Sequence, residues 1–236
     1  MRVCSLLSGG KDSNYALYRA LREGHEPVCI LVARPRTRDS WMFHVPNVEL
    51  ALLQAEAMGL RHIARMVEVS GVKEREVEEL WRALERLHGE VGFEMITVGA
   101  LASRYQYKRI ERIARALGVE VYAPAWLMDQ EEYLRKLVDE GIRFVITRIS
   151  TMGLPHKLLG VPIGPVEVEV IIEAARRYGF NPAFEGGEAE TLVVDAPHYR
   201  ARLGLKATPR VLGDFEAELV IEDAWLEWKE QLASSP

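Results

Sequence analysis

Residues 5–17 read SLLSGGKDSNYAL, an apolar run broken by two adjacent glycines, a lysine, an aspartate and two serines. Upstream, RVCSLL has the continuous apolar character of a strand buried on both faces. Downstream, NYALYRALREG spaces Tyr15, Leu17, Tyr18 and Leu21 for a helix that Gly24 stops. A bare turn between strand and helix would need only the glycines. The polar residues ask for more. Gly9 and Gly10 allow close backbone approach and positive φ. Ser8, Lys11 and Ser13 carry donors for phosphate oxygens, and a helix start adds unpaired N–H groups and the positive end of the macrodipole. Asp12 is a hard oxygen ligand suited to Mg²⁺. We therefore read SGGKDS as a phosphate cradle. It is not a Walker loop, because GxxxxGK[ST] is absent.

Working outward, the strand–helix rhythm continues. EPVCILVAR, ARMVEVSG, EMITVGAL and VEVYAPAW read as strands, and VELALLQAEAMGL, KEREVEELWRALERLHGEVG and SRYQYKRIERIARALG as the helices between them. The spacing predicts an α/β fold with a mostly parallel sheet covered on both faces. In such a sheet ligands bind beyond the carboxyl ends of the strands, where SGGKDS falls. After Trp126 the rhythm changes to helix (DQEEYLRKLVDEG), strand (IRFVITRIS), a Gly- and Pro-rich stretch, helix (VEVEVIIEAARRYG), an acidic turn and late strands TLVVDAP, PRVLG and EAELVIEDAWLEW. We place a boundary there, with residues 1–125 as the ATP-binding domain and 126–236 as a smaller α+β substrate-binding domain.

Composition narrows the function. With 236 residues, 48% of them hydrophobic, the chain can bury a sizeable core. No apolar run approaches the roughly 18 residues a membrane helix needs, and no signal-peptide pattern is present, so a cytoplasmic location is expected. A net charge of −5 argues against a protein built to grip a nucleic-acid backbone. Cys4 and Cys29 lie in two strand-like runs and are expected as a pair of buried thiols. There is no CxxC.

Two further constellations carry chemistry. In VGALASRYQYKRIERIARALG, a helix from about Arg104 puts Tyr105, Arg109 and Arg112 on one face and Ile110, Ile113, Ala114 and Leu117 towards the core. The segment leaves a strand on the same sheet edge as SGGKDS, which would let Gly99, Ser103, Tyr105, Gln106 and Arg109 close over nucleotide or substrate. In FEGGEAETLVVDAPHY, Glu185, Glu188 and Glu190 crowd a Gly-Gly turn. Like charges that close together are costly unless a cation offsets them, and Mg²⁺, ammonium or a cationic substrate would serve.

The spacing of SGGKDS resembles the SGGxDS loop of the N-type ATP pyrophosphatases, the PP-loop enzymes. Taken with SWMFHVPN, GALASRYQYKRIE and EGGEAETLVVDAP in that order, the chain resembles the diphthine–ammonia ligase family over residues 1 to about 200. The resemblance implies an adenine nucleotide α-hydrolase-like first domain and amidation of diphthine on translation elongation factor 2. ATP, Mg²⁺ and ammonium would be consumed or used through an acyl-adenylate, releasing AMP and pyrophosphate. It further implies that Ser8, Gly9, Gly10, Lys11, Asp12, Ser13, Gly99 and Ser103 bind nucleotide, with Asp12 on the metal. Lys11, Asp12 and Arg109 would carry the chemistry. Tyr105, Gln106, Arg109, Glu185, Glu188, Glu190 and Thr191 would bind the acceptor, with Trp41, Tyr105 or Tyr107 offering a cation–π face to its trimethylammonium. At Phe184 and Ala189 the chain departs from the family pattern, which has a small residue and an aromatic there. Two other readings stay open: a PP-loop enzyme that adenylates another acceptor such as tRNA, and a nucleotide-binding module without turnover. Self-association into a homo-oligomer is also left open, and His44 is a candidate nucleotide contact.

Overall fold

The computed structural model describes residues 1–36, 48–72 and 74–230. The first half is a five-stranded parallel sheet: β1 (Arg2–Leu6), β2 (Glu26–Pro35), β3 (Ala64–Val69), β4 (Met95–Thr97) and β5 (Glu120–Tyr122). Their order across the sheet is β3-β2-β1-β4-β5. The chain thus builds outward from β1 on one side, then crosses back to β4 on the other. The point of reversal lies between β1 and β4, where an open α/β sheet leaves a crevice at its carboxyl edge.

Helices α1 (Lys11–Arg22) and α2 (Leu50–Ala57) cover one face of this sheet, and α3 (Arg75–Val91) and α4 (Arg104–Leu117) the other. The α3/α4 face closes a core of Leu80, Leu84, Ile96, Ile110 and Ile113. Cys4 and Cys29 belong to that core. They face one another directly in the β1–β2 register, with Cα atoms 4.3 Å apart, and form a disulfide. This corrects the expectation of two separate thiols. Adjacent parallel strands brought the two side chains to opposed positions on the same face, so their sulfurs meet.

The second half holds α5 (Gln130–Asp139), α6 (Pro165–Tyr178) and a four-stranded antiparallel sheet of β6 (Arg143–Ser150), β7 (Ala189–Asp195), β8 (Ala201–Val211) and β9 (Glu216–Trp228), ordered β7-β6-β9-β8. α1 lies against β7, and α2 against β8 and β9. One continuous buried core runs from Tyr15, Leu17, Ile30 and Ala55 into Tyr133, Leu137, Phe144, Ile171 and Leu192. The two sheets therefore share a hydrophobic interior across α1 and α2. At about 25 cal/mol per Å² of apolar surface, such a seam is a strong tie. Among the described residues no helix is long and apolar enough to cross a membrane.

Candidate active site at the start of the first helix

The β1–α1 loop is built by glycine geometry and by side chains from both halves. Gly9 has φ +90°, a left-handed conformation that favours glycine. Gly10 follows in extended conformation as the N-cap of α1, with no side-chain cap. Ser8 and Ser13 are tied together, with Ser13 Oγ accepting from Ser8 N at 3.1 Å and lying 3.0 Å from Ser8 Oγ. The Gly9 carbonyl accepts from Gln54 Nε2 at 2.9 Å and from Val193 N at 3.0 Å. The Lys11 amide donates to Thr191 Oγ1 at 3.1 Å. Among the described residues the amide of Asp12 has no protein acceptor, the state of an orphan donor at a helix start that an anion would satisfy.

Lys11 is only 2% exposed. An ammonium that deep needs its donors satisfied. Lys11 Nζ donates to the Ala183 carbonyl at 2.6 Å and to Asp12 Oδ2 at 3.0 Å, and lies 5.5 Å from the centre of the Phe184 ring. Phe184, one of the two departures from the family pattern, is buried with φ +66° and so forms part of the wall under the lysine. Asp12 is 27% exposed, with its other oxygen accepting from Tyr133 Oη at 2.8 Å. Burial, then the Asp12 charge, push the Tyr133 hydroxyl well above the usual phenol range, so it donates to Asp12 as a neutral phenol.

Gly99 follows the carboxyl end of β4 and is packed directly against this helix start. A Cβ there would sit 2.4 Å from both Asp12 C and Ser13 N. Only glycine lets the two chain crossings approach so closely. Ser103 caps α4, accepting from Gln106 N at 3.4 Å. Further along α4, Arg109 is held by Glu74 and by the Tyr105 carbonyl at 3.1 Å, and its guanidinium lies 3.2 Å from the Tyr105 ring centre. Tyr105 and Arg109 thus meet Glu74 at the start of α3, rather than Lys11 and Asp12. Tyr107 stacks on Trp126, with ring centres 4.3 Å apart. Trp41 and His44, with the rest of SWMFHVPN, lie outside the described residues.

The acidic loop reaches the site differently from the way its charge suggests. Glu185 Oε2 accepts from Ala102 N at 2.9 Å and Ser103 N at 3.2 Å, so its carboxylate bonds the start of α4 from the other half of the molecule. Burial, then the Asp12 charge, raise the Glu185 carboxyl above its ordinary value. Glu188 staples its own loop, accepting from Asn181 N, Asn181 Nδ2 and Gly186 N at 3.0, 2.8 and 2.8 Å. Glu190 lies in register opposite Arg148 on β6. Asp195, at the far end of β7, pairs with Arg202 and Lys229.

Behind the loop sits a polar network that the motifs did not reveal. Asn14 Nδ2 donates to the Gly10 carbonyl at 3.0 Å and to Gln54 Oε1 at 3.2 Å, and Asn14 Oδ1 accepts from Tyr199 Oη at 2.6 Å. Gln54 Nε2 also donates to the Val193 carbonyl at 2.8 Å. Asn14 and Gln54 are wholly buried. The one sequence signal was a polar residue at each of two positions inside otherwise apolar helical faces, NYAL and LALLQAEA.

A loop of this kind at the reversal point of a parallel sheet, with a buried lysine, an adjacent aspartate and an unpaired helix amide, places the chain among the α/β proteins whose ligand site lies at that sheet edge. Residues 1–121 match the family model of the diphthamide synthase N-terminal domain, and residues 129–227 that of its C-terminal domain. The chain is 33% identical over 234 residues to a diphthine–ammonia ligase of Rattus norvegicus, covering 92% of this chain and 87% of that protein. Against that of Homo sapiens the identity is 31% over 234 residues, with the same 92% and 87% coverage. Against that of Saccharomyces cerevisiae it is 28% over 231 residues, covering 85% of this chain and 34% of the longer yeast protein. The chain belongs to the diphthine–ammonia ligase family.

Proposed function

We propose that this chain is an ATP-dependent, AMP-forming ligase that amidates the carboxylate of diphthine on translation elongation factor 2 with ammonium, giving diphthamide. The observation that carries this reading is the convergence of Lys11, Asp12 and the unpaired Asp12 amide at the sheet's reversal point, beneath the acidic loop, in a chain of this family. A cytoplasmic location belongs to the same reading, because that is where elongation factors work.

The chemistry assigns each residue a task. A carboxylate is a poor acceptor for ammonia and must first be activated. Attack of one carboxylate oxygen on the α-phosphorus of ATP forms an acyl-adenylate and expels pyrophosphate. Charge growing on that leaving group calls for preorganised donors, which Lys11 Nζ and the unpaired Asp12 amide would supply. Mg²⁺ fits the donor set. Asp12 is partly exposed, and each of its oxygens keeps a lone pair beyond the one given to Lys11 Nζ or Tyr133 Oη, a hard donor of the kind magnesium takes. A single protein carboxylate completed by phosphate oxygens and water is the usual arrangement for magnesium on a nucleotide. When bound, the ion would offset charge on the polyphosphate.

Ammonia then attacks the acyl carbon, and AMP leaves as the C–O bond to phosphate breaks. Arg109 is assigned the acceptor's carboxylate, a task that requires it to exchange Glu74 for that group. The negative field of Glu185, Glu188 and Glu190 favours the trimethylammonium of the acceptor and the ammonium ion. Thr191, Tyr105 and Gln106 are assigned to the acceptor's approach on the same reading.

The test is direct. The protein is incubated with ATP, Mg²⁺, ammonium and elongation factor 2 bearing diphthine. AMP should appear together with a mass loss of about 1 Da on the factor as OH becomes NH₂. AMP without that mass change would assign the site another acceptor and end this reading.

A further inference from the structure

Tyr133 reaches the β1–α1 loop from the second half of the chain, and no sequence motif points to it. It is completely buried on α5, with its ring edge-on to Tyr15 of α1 at 5.3 Å between centres. Its hydroxyl reaches Asp12 Oδ1 at 2.8 Å. A carboxylate only accepts, so the phenol donates, and the bond is charge-assisted. Asp12 Oδ2 faces Lys11 Nζ at 3.0 Å. An aspartate held at both oxygens cannot rotate about its terminal torsion, which is otherwise broad. Lys11 is in turn held by Ala183, so the first turn of α1 is gripped from α5 and from the acidic loop together.

We propose that Tyr133 is a positioning residue: it fixes the Asp12 carboxylate in the orientation that receives the magnesium of the bound nucleotide. This rests on the reading of Asp12 as that ion's ligand. Tyr133 touches neither substrate nor metal and acts through Asp12 alone.

Tyr133→Phe removes one oxygen from an enclosed site and nearly conserves volume. The probes are α,β-methylene ATP, whose bridging carbon blocks cleavage, and Mn²⁺ in place of Mg²⁺. Binding is followed by calorimetry and by the manganese electron paramagnetic resonance signal. We expect Mn²⁺ affinity in the presence of the analogue to fall about tenfold in Tyr133→Phe, while affinity for the metal-free analogue stays within about twofold. In an Asp12→Asn background, Tyr133→Phe should then add no further loss of Mn²⁺ affinity. Unchanged Mn²⁺ affinity in the single variant, or additive losses in the double, would overturn the proposal. Equal losses with and without metal would also overturn it, since a merely structural role predicts that pattern. Failure of the underlying reading looks different: Asp12→Asn alone would leave Mn²⁺ affinity in the presence of the analogue at the parent value.

Discussion

The molecule has two Gly-Gly turns rich in charge, SGGKDS and FEGGEAE, and they use that charge in opposite ways. In the first, backbone carbonyls are taken up by Gln54, Asn14 and Val193 and the Asp12 carboxylate by Lys11 and Tyr133, which leaves the helix-start amide of Asp12 without a protein acceptor among the described residues. In the second, the carboxylates of Glu185 and Glu188 are themselves taken up by five backbone or amide donors. One turn is held by its surroundings so that it can receive a ligand. The other uses its acids to hold its own shape and to dock on α4. This cluster of glutamates is thus first an architectural device, its carboxylates fixed by the amides they accept from.

The contrast can be broken most severely at Lys11. Lys11→Ala should lower AMP formation by about 10²–10³-fold while circular dichroism stays that of the parent, because the donor is lost and the fold is not. Turnover within a few-fold of the parent would show that the first turn does not serve the leaving group. Next is Gly99→Ala. A Cβ 2.4 Å from the α1 backbone must push the crevice walls apart, costing about 1–3 kcal/mol of stability and a larger share of nucleotide affinity. Calorimetric titration with the ATP analogue checks this, and parental affinity would mean that β4 and α1 are not tightly apposed in solution.

Glu185 gives a smaller effect with a distinctive pH dependence. Its carboxyl is raised by burial and then by Asp12, so the folded state holds that proton more tightly than the unfolded chain does. Ionisation therefore subtracts stability as pH climbs from the ordinary glutamate range through the raised value, and the deficit persists above it. Glu185→Gln keeps an oxygen for the two α4 amides and loses the charge. Its melting temperature relative to the parent should be least favourable near about pH 4 and improve towards neutral pH. A pH-independent difference would contradict the burial of this carboxylate. The smallest change is expected for Glu188→Gln, which loses one acceptor to Gly186 N on an exposed loop. That is about 1 kcal/mol, or a fall of about 2–4 °C in Tm.

These contrasts also separate what could be read from the chain from what could not. The alternation of buried strands and amphipathic helices is local, so the parallel sheet and the position of SGGKDS at its edge are legible in periodicity alone. The α4 pattern is equally local: Ile110, Ile113 and Ala114 are buried as their spacing requires. By contrast, the groups that hold the loop come from 40, 121, 139 and 185 residues away: Gln54 to Asn14, Tyr133 to Asp12, Val193 to Gln54 and Tyr199 to Asn14. No window of sequence contains both partners. The start of β8 was hidden for a related reason. Gly204 and Lys206 blur its alternation, and the strand is completed by Trp225 of β9 lying over Gly204. Glutamate as a substrate ligand and glutamate as a cap for amides look identical in a sequence, because the partner amides of Ala102 and Ser103 belong to another segment.

The bond from Val193 to the Gly9 carbonyl, with Thr191 on the Lys11 amide, has a consequence for how such a protein can be divided or evolve. A fragment ending after β5 would keep every glycine of the motif yet lose the strand that braces it, and would lay bare the apolar side of α1 and α2. The motif is therefore not a portable cassette. Exchanging the rear half for one with another specificity would demand a strand of the same register at the same place, so the two halves must diverge together.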